Sequence, residues 1–280
     1  MPIQWYPGHM TKARRELAAL MPAQDVIIEV LDARMPASSS NPVITELRGM
    51  KPCIKVLSKR DLADPAVTQA WLDHFDSRIH PGEGKVRAIA SSTDRPQELR
   101  ARIPQVVLEL GIRKVGPGNV VRALVVGIPN VGKSTLINTL MQRNVAKVGN
   151  KPAVTKSQQQ VVLKSGMVVW DSPGIMWPKI EDEVASYRLA LGGAIPDTAI
   201  DYLNVAMFGA AFLLAEYPAP VLARFKLTEK PASPEALLDQ IGRRRGCLMS
   251  GGVVDVHKAA EILVHECRAG AFGPLSFERP

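Results

Sequence analysis

Up to residue 175, the sequence alternates short apolar runs rich in β-branched residues with stretches of helical periodicity. This alternation is typical of a parallel sheet that is covered by helices on both faces. The strand candidates are Val26–Leu31, Cys53–Leu57, Val86–Ala90, Ala123–Val126 and Val168–Trp170. The helix candidates are Met10–Leu20, Asn41–Gly49, Ala66–Asp76, Pro96–Leu110 and Lys133–Gln142. We therefore predict an α/β fold with a doubly wound, mostly parallel sheet.

The pattern changes after Ile175, where only helical periodicity remains. Ser233, which precedes a proline and an acid, predicts the start of one helix, and Asp255 predicts the start of another. We expect four or five helices in this part of the chain. For 280 residues we therefore predict two domains, a sheet domain at residues 1–178 and a small all-α domain at residues 179–280.

A glycine-rich loop joins the fourth strand candidate to a helix candidate, and residues 127–134 read Gly-Ile-Pro-Asn-Val-Gly-Lys-Ser. In this G-x-x-x-x-G-K-S pattern, glycines let backbone N–H groups surround phosphates while the helix N-terminus faces the anion. We expect Lys133 to reach the β- and γ-phosphates of a nucleotide, and the hydroxyl of Ser134 to ligate Mg²⁺. The predicted phosphate-binding residues are Asn130, Val131, Gly132, Lys133, Ser134 and Thr135.

A second nucleotide motif follows the last strand candidate, where residues 171–174 read Asp-Ser-Pro-Gly. This places polar groups at the edge where doubly wound sheets bind ligands. We expect Asp171 to hold Mg²⁺ through water and the N–H of Gly174 to sense the γ-phosphate. Thr155, in the loop between the two motifs, is expected to complete the Mg²⁺ shell in the triphosphate state.

The stretch after the second strand candidate, Ser58-Lys59-Arg60-Asp61, resembles the N-K-x-D guanine motif of GTPases. The carboxylate of Asp61 can accept hydrogen bonds from N1–H and the exocyclic amine of guanine, and adenine lacks that amine. We expect the stem of Lys59 to lie along the base. Ser58 replaces the usual asparagine, and we expect weaker or water-mediated support because serine is shorter and has no amide. Ser91, after the third strand candidate, is expected to offer its backbone to the base.

The order of these motifs is reversed relative to ordinary GTPases. The base-reading motifs at 58–61 and 91 precede the phosphate motifs at 127–134 and 171–174. A site built from loops at one sheet edge depends on where the strands lie and not on their chain order, so this permutation is physically allowed. The segment after Asp171 then leads into the all-α domain, so we expect that exchange of the γ-phosphate can act on that domain.

Two further stretches make the resemblance specific: Trp5-Tyr6-Pro7-Gly8-His9-Met10 and Asp32-Ala33-Arg34-Met35-Pro36. Over essentially its whole length the chain resembles the YlqF-type ribosome biogenesis GTPase A family, which consists of circularly permuted GTPases. The resemblance implies GTP and GDP as ligands with Mg²⁺, and binding to the large ribosomal subunit precursor late in its assembly. It also implies that the helical C-terminal domain contacts ribosomal RNA.

The residue after Gly174 is Ile175, where many GTPases carry the glutamine that orients the attacking water. Because isoleucine cannot hydrogen-bond water, we expect slow hydrolysis alone and faster hydrolysis on the ribosomal particle. His9 is the candidate to orient or deprotonate that water, the alternative being that it caps the fold or touches RNA. Asn130 predicts K⁺ as an extra positive charge in the transition state, the alternative being a turn-stabilising asparagine. Lys133 and Gly174 complete the predicted catalytic set.

The net charge of +8 is unevenly distributed, since residues 1–175 hold 24 Lys+Arg and 14 Asp+Glu. Such a field attracts nucleotide phosphates or the backbone of a nucleic acid. The candidate RNA contacts are Lys12, Arg14, Arg15, the basic span Arg100–Lys164 and the cluster Gly242–Gly246. For the last cluster, a solvated helix end is an equal alternative.

Other classes of protein are disfavoured. The longest apolar run, Val205–Ala215, is shorter than the roughly 20 residues that span a bilayer, and no secretory signal is visible. Three widely spaced cysteines, Cys53, Cys247 and Cys267, fit neither a disulfide framework nor a zinc site. We therefore predict a cytoplasmic protein without membrane partners, and we expect it to be a monomer. The open alternatives are a nucleotide-gated RNA-binding scaffold with negligible turnover and a P-loop ATPase or small-molecule kinase, which Asp61 disfavours.

Overall fold

The computed structural model describes residues 3–77, 83–112, 120–141, 159–163 and 166–280. The chain forms two compact units. The sheet unit comprises Trp5–Lys179 and Glu278–Pro280, and the helical unit comprises residues 3–4 and Ile180–Phe277. The chain therefore passes between the units three times, whereas the sequence suggested one joint after residue 178.

Hydrogen bonds at the two chain ends account for this exchange of termini. The amide of Gln4 donates to the carbonyl of Ile180 at 2.8 Å and accepts from its N–H at 3.0 Å. The Glu278 carboxylate accepts hydrogen bonds from the N–H of Ser38, at 3.0 Å, and from its hydroxyl. These contacts join residues far apart in the chain, so no local sequence pattern predicts them.

The sheet has six strands in the order β3-β2-β1-β4-β6-β5. They are β1 Val26–Asp32, β2 Cys53–Ser58, β3 Val86–Ala90, β4 Arg122–Val126, β5 Gln159–Val162 and β6 Val168–Asp171. All neighbouring strands are parallel except β5, which pairs antiparallel with β6. The predicted mostly parallel sheet is confirmed, and β5 is a strand that the sequence analysis did not predict. All seven residues of β1 are buried, as expected for a central strand covered on both faces.

Six helices belong to the sheet unit within the described residues: α1 His9–Leu20, α2 Pro36–Ser39, α3 Pro42–Arg48, α4 Pro65–Ser77, α5 Pro96–Glu109 and α6 Lys133–Met141. The four-residue α2 is too short for a periodic pattern and was not predicted. Helix α1 buries Ala13 and Leu17 in a core cluster that also contains Leu124 of β4 and Ile175. The residue after Gly174 is therefore part of the hydrophobic core.

The direction of the strands brings the sequence motifs to one edge of the sheet. Strands β1, β2, β3, β4 and β6 run parallel, so their carboxyl ends lie at the same edge. The loops that follow them begin after Asp32, Ser58, Ala90, Val126 and Asp171. This edge is where the predicted base and phosphate motifs meet.

The helical unit contains α7 Glu183–Gly192, α8 Tyr202–Glu216, α9 Pro218–Phe225, α10 Pro234–Arg245 and α11 Val256–Ala269. The predicted caps are present: the side chain of Ser233 accepts from the N–H of Ala236 at 3.2 Å, and that of Asp255 from the N–H of Lys258 at 3.1 Å. None of the described helices has by itself the length and hydropathy of a bilayer span; α8 and α9 reach them only as a pair bent by 113°.

Candidate nucleotide-binding site

The loop between β4 and α6 has the backbone conformation that the glycine-rich motif predicts. Gly127 has a φ of 147°, and a Cβ at this position would lie 2.6 Å from the carbonyl oxygen of Val30. Gly132 has a φ of 98°, and Asn130 adopts the left-handed region with a φ of 60°. Glycine is therefore required at residue 127 both by conformation and by the close approach of β1.

The Lys133 side chain is folded back over this loop. Its ammonium donates hydrogen bonds to the carbonyl oxygens of Ile128 at 2.8 Å and Gly127 at 3.2 Å. Burial lowers the pKa of Lys133 to about 8, although nearby Asp171 opposes that shift. The next two residues, Ser134 and Thr135, are half-buried in the first turn of α6, where helix N–H groups favour an anion.

Asp171 ends β6 with its side chain almost fully buried. Burial raises its pKa to about 6, and the positive charge of Lys133 acts in the opposite direction. One carboxylate oxygen, Oδ1, is buried without a hydrogen-bond partner among the described residues. An orphaned buried carboxylate oxygen fits a site whose missing partner is a hydrated cation.

The segment after Asp171 lies directly against the phosphate loop. A Cβ on Gly174 would lie 2.8 Å from the Cα of Pro129 and 2.9 Å from the ammonium of Lys133. The N–H of Ile175 donates to the carbonyl of Gly127 at 3.3 Å. The structure therefore brings Gly174 to the phosphate loop, as its predicted role requires.

The guanine motif contacts the phosphate loop through Ser58. Its hydroxyl lies within hydrogen-bond distance of the carbonyl oxygens of Val131, at 2.5 Å, and Leu31, at 2.8 Å. A Cβ on Gly132 would lie 3.7 Å from this serine. The contact of Ser58 with the loop is therefore direct, so the expectation of a water-mediated contact was wrong, because the loop approaches the short side chain closely.

The other base-motif residues surround the end of β2. Lys59 has a left-handed φ of 55°, and its ammonium donates to Asp32 at 2.8 Å. Asp61 is exposed at the same edge. The carbonyl of Ser91 accepts a hydrogen bond from the N–H of Arg60 at 3.0 Å, so the loops after β2 and β3 are tied together.

Ile175, which replaces the usual glutamine, and His9, the candidate to act on the attacking water, differ in their surroundings. Ile175 is almost fully buried, so its side chain is committed to the core. His9 is exposed at the start of α1, and the neighbouring Met10 accepts a hydrogen bond through Sδ from the N–H of Met176 at 3.4 Å. The first turn of α1 therefore lies beside the segment that follows Gly174. Thr155, the predicted third Mg²⁺ ligand, lies outside the described residues.

The predicted RNA-binding cations are only partly available. Arg243 is paired with Asp239 at 2.7 Å and Arg245 with Glu266 at 2.5 Å, whereas Arg244 is exposed and has no described partner. Lys12 lies 3.8 Å from Glu16 and Arg14 lies 3.5 Å from Glu46, and both ion pairs are exposed to solvent. Arg15 is exposed. Much of the span between Arg100 and Lys164 lies outside the described residues.

Asp32 and Arg34 are site residues whose contacts the sequence analysis did not assign. Both side chains are buried, and Asp32 accepts hydrogen bonds from Arg34 and Lys59. The available signal was a D-x-R pair at the carboxyl end of a buried strand, next to the predicted base motif. It served only as part of the family resemblance.

Comparisons with known proteins agree with this geometry. The family model described as 50S ribosome-binding GTPase matches residues 122–201. A Bacillus pumilus protein named Ribosome biogenesis GTPase A is 44% identical, covering 100% of this chain and 99% of that protein. Its namesake from Thermotoga maritima is 32% identical, covering 99% and 95%.

Solved structures of YlqF are also similar. A GDP-bound YlqF has a TM-score of 0.68 at 28% identity and covers 95% of this chain and 99% of its own. The GNP-bound YlqF from T. maritima has a TM-score of 0.66 at 29% identity and covers 96% and 98%. With its permuted guanine-nucleotide motifs assembled at one sheet edge, the chain is a GTPase that belongs to the ribosome biogenesis GTPase A family.

Proposed function

We propose that this GTPase acts in late assembly of the large ribosomal subunit, binding the subunit precursor and its ribosomal RNA and hydrolysing GTP to GDP and phosphate there. The observation that best supports a GTP site is the contact of Ser58 with Val131, which joins the guanine motif to the phosphate loop. The role in the ribosome is supported by the names of the relatives and by the description of the family model.

In this proposal the site holds the two ends of one GTP molecule. Asp61 reads the base edge, and the backbone at Ser91 supports the base. The loop residues Asn130, Val131, Gly132, Lys133, Ser134 and Thr135 hold the phosphates. Gly174 donates its N–H to the γ-phosphate, which makes the segment leading toward the helical unit sensitive to the nucleotide state.

Mg²⁺ fits the residues beside the phosphates. The Ser134 hydroxyl would be a direct ligand, Asp171 would act through water, and Thr155 would join in the triphosphate state. The unpartnered Oδ1 of Asp171 supports this assignment. The described residues hold no cluster of three His, Cys, Asp or Glu side chains suited to a metal, so most ligands would come from phosphates and water. When bound there, Mg²⁺ would supply positive charge that offsets the charge of the phosphates.

Hydrolysis is expected to be slow in the isolated protein because Ile175 is buried and offers no polar group to the attacking water. We propose that His9 supplies this function when the particle reorders the first turn of α1. His9→Ala should then abolish the stimulation, whereas His9→Gln should retain part of it, because an amide can orient water. Thr11→Ala, at another exposed position of the same turn, is the control. Unchanged stimulation in His9→Ala would remove this role.

We propose that the side chain of Asn130 helps to bind a K⁺ ion during hydrolysis. A carbonyl oxygen beside the phosphates would let K⁺ add positive charge where negative charge develops in the transition state. Phosphate release should therefore be faster in K⁺ than in Na⁺ buffer, and Asn130→Asp should alter that ratio. Equal rates in both buffers would leave Asn130 as a turn residue, in accord with its left-handed φ.

The helical unit is proposed to contact ribosomal RNA through the end of α10. Arg244 is the exposed cation there without a described partner, and Arg243 and Arg245 flank it. Arg244→Ala should weaken binding to RNA and reduce the salt dependence of binding by about one unit of slope. We further propose that the protein is a monomer and that it is cytoplasmic; the three buried free thiols fit the second of these proposals.

The alternative function is a nucleotide-gated RNA-binding scaffold with negligible turnover, which the burial of Ile175 favours. Multiple-turnover phosphate release with large subunits, small subunits, naked ribosomal RNA or no addition separates the two. Stimulation by the large subunit alone supports the assembly GTPase. Nucleotide-dependent binding to the large subunit without stimulated release supports the scaffold, and equal effects of all particles contradict the choice of the large subunit.

A further inference from the structure

A fully buried carboxylate, Asp32, lies at the carboxyl end of β1 beside the guanine motif. Its Oδ1 accepts hydrogen bonds from the backbone N–H of Arg34 at 3.1 Å and from Nε at 2.9 Å. Its Oδ2 accepts from Nη2 of Arg34 and from the Lys59 ammonium, both at 2.8 Å. A carboxylate offers about four lone-pair sites, so these donors leave no capacity for a nucleotide or a metal ion. Asp32 therefore acts through the residues that it holds.

Lys59 is fixed at both ends of its side chain. Its backbone is held in the left-handed region directly after β2, with φ 55° and ψ 36°. Its ammonium is bound by Asp32, while 26% of the side chain remains exposed. A free lysine side chain samples many rotamers, and ordering it costs entropy. Because Asp32 holds the Lys59 ammonium, the side chain loses this entropy when the protein folds and not when a nucleotide binds.

Asp32 is itself held in place by its neighbours. Its N–H donates to Oγ of Ser39 at 3.0 Å, and the Ser39 hydroxyl donates to the carbonyl of Met35 at 2.8 Å. Burial alone would raise the pKa of Asp32, but Arg34 and Lys59 hold it below the ordinary range of aspartate. The carboxylate is therefore ionised at neutral pH and carries a fixed negative charge.

We propose that Asp32 is a positioning residue for guanine recognition, which anchors the Lys59 ammonium so that the lysine stem forms a preformed face for the base. This inference rests on the proposed function, because it takes Lys59 and Asp61 as base-binding residues. Arg34 supplies the second positive charge that keeps the buried carboxylate compensated. The specificity of the Asp61 fork for the guanine amine is a separate property of the same site.

Calorimetric titration of GDP and of inosine diphosphate (IDP) tests this role. Inosine keeps the ring face and N1–H but lacks the exocyclic amine. Lys59→Met and Asp32→Asn should each lower the affinity about three- to tenfold. The factor should be the same for GDP and IDP, because the lysine stem contacts the ring face that both bases share. In the double variant, Asp32→Asn should add no further loss, because both changes act through one ammonium. Lys59→Arg, which keeps a cation for Asp32, should restore part of the affinity.

Lys51→Met is the matched control. Lys51 lies just before the amino end of β2, and its ammonium donates to the backbone carbonyls of Pro22 and Gln24. This variant should leave nucleotide affinity unchanged. Asp61→Asn should reduce the preference for GDP over IDP. If that preference is unchanged, the proposed base site is wrong. If it falls as expected but the effects of Asp32→Asn and Lys59→Met are fully additive, only the positioning role is overturned.

Asp32→Asn also leaves the buried Arg34 guanidinium without its counter-charge, which can prevent folding. Lys59→Met has no such consequence, because Arg34 still compensates Asp32. Should Asp32→Asn not fold, the comparison of Lys59→Met with Lys59→Arg decides the matter. Partial rescue by arginine supports the anchor, whereas wild-type affinity in Lys59→Met or no rescue by arginine overturns it.

Discussion

Replacing Gly174 with alanine adds a methyl group where the segment after β6 meets the phosphate loop. The new Cβ would lie 2.8 Å from the Cα of Pro129, which is about 0.7 Å short of ordinary carbon contact, and 2.9 Å from the backbone nitrogen of that residue. The Lys133 ammonium, also at 2.9 Å, can move away at the end of its flexible side chain, but the loop backbone cannot. The segment must therefore shift away from the loop.

This shift has two expected consequences. Overpacking lowers the free energy of unfolding by about 1–3 kcal/mol. Displacing the N–H of Gly174 would also remove the proposed hydrogen bond to the charged γ-phosphate, worth about 1.5–3 kcal/mol, or about 10- to 150-fold in affinity. GDP has no γ-phosphate. Gly174→Ala should therefore reduce the affinity for a non-hydrolysable GTP analogue about 10- to 150-fold more than it reduces the affinity for GDP.

Urea unfolding and calorimetric titration of both nucleotides measure these effects. Gly209→Ala is the control, because its Cβ would approach Leu191 at 3.1 Å within the helical unit and should leave both nucleotide affinities unchanged. A loss of stability in Gly174→Ala with an unchanged ratio of the two affinities would refute the role of this N–H as the γ-phosphate sensor. No change in either quantity would refute the close packing of the segment against the loop.

Three further variants test other contacts. Ser58→Ala should lower the free energy of unfolding by about 1–3 kcal/mol and reduce the affinity for GDP, because the Ser58 hydroxyl bonds Val131 of the phosphate loop. Urea unfolding and calorimetric titration measure the two effects, and an unchanged GDP affinity would contradict the role of this contact in nucleotide binding. The pKa of Asp32 is lowered from 3.8 on folding, so its contribution to stability is present above that pH and lost as pH falls through and below it; urea unfolding from pH 5 to pH 2 should show a steeper loss for the wild type than for Asp32→Asn. Glu278→Gln weakens the hydrogen bonds from Ser38 and should lower the free energy of unfolding by about 1–3 kcal/mol. An unchanged urea midpoint would show that these hydrogen bonds add no stability.

Much of the sheet unit was predictable because its signals are local. Buried parallel strands appear as continuous apolar runs, and all five predicted strands are present to within one residue at each end. Strand β5 was missed because it has four residues at the sheet edge, and Val162 within it is 60% exposed. Helix α2 was missed because four residues do not complete a recognisable helical period.

The candidate site was predictable in its residue types but not in its contacts. The glycine-rich loop is recognisable because its backbone conformation requires glycine at set positions, as the φ of 147° at Gly127 illustrates. The direct contact of Ser58 with Val131 was not predicted, because the sequence does not show how closely the phosphate loop approaches this side chain. The placement of Ile175 in the core likewise depends on α1, which packs against it.

The sequence by itself determined the alternation of strands and helices, the guanine and phosphate motifs and their permuted order, because each motif consists of neighbouring residues. Only the tertiary structure decided that Asp32 binds Lys59 across 27 residues, that Ser58 reaches Val131 across 73, and that Glu278 bonds Ser38 across 240. A hydrogen bond between distant residues depends on the positions that the packed strands and helices give to both partners, and no periodicity or local motif encodes those positions.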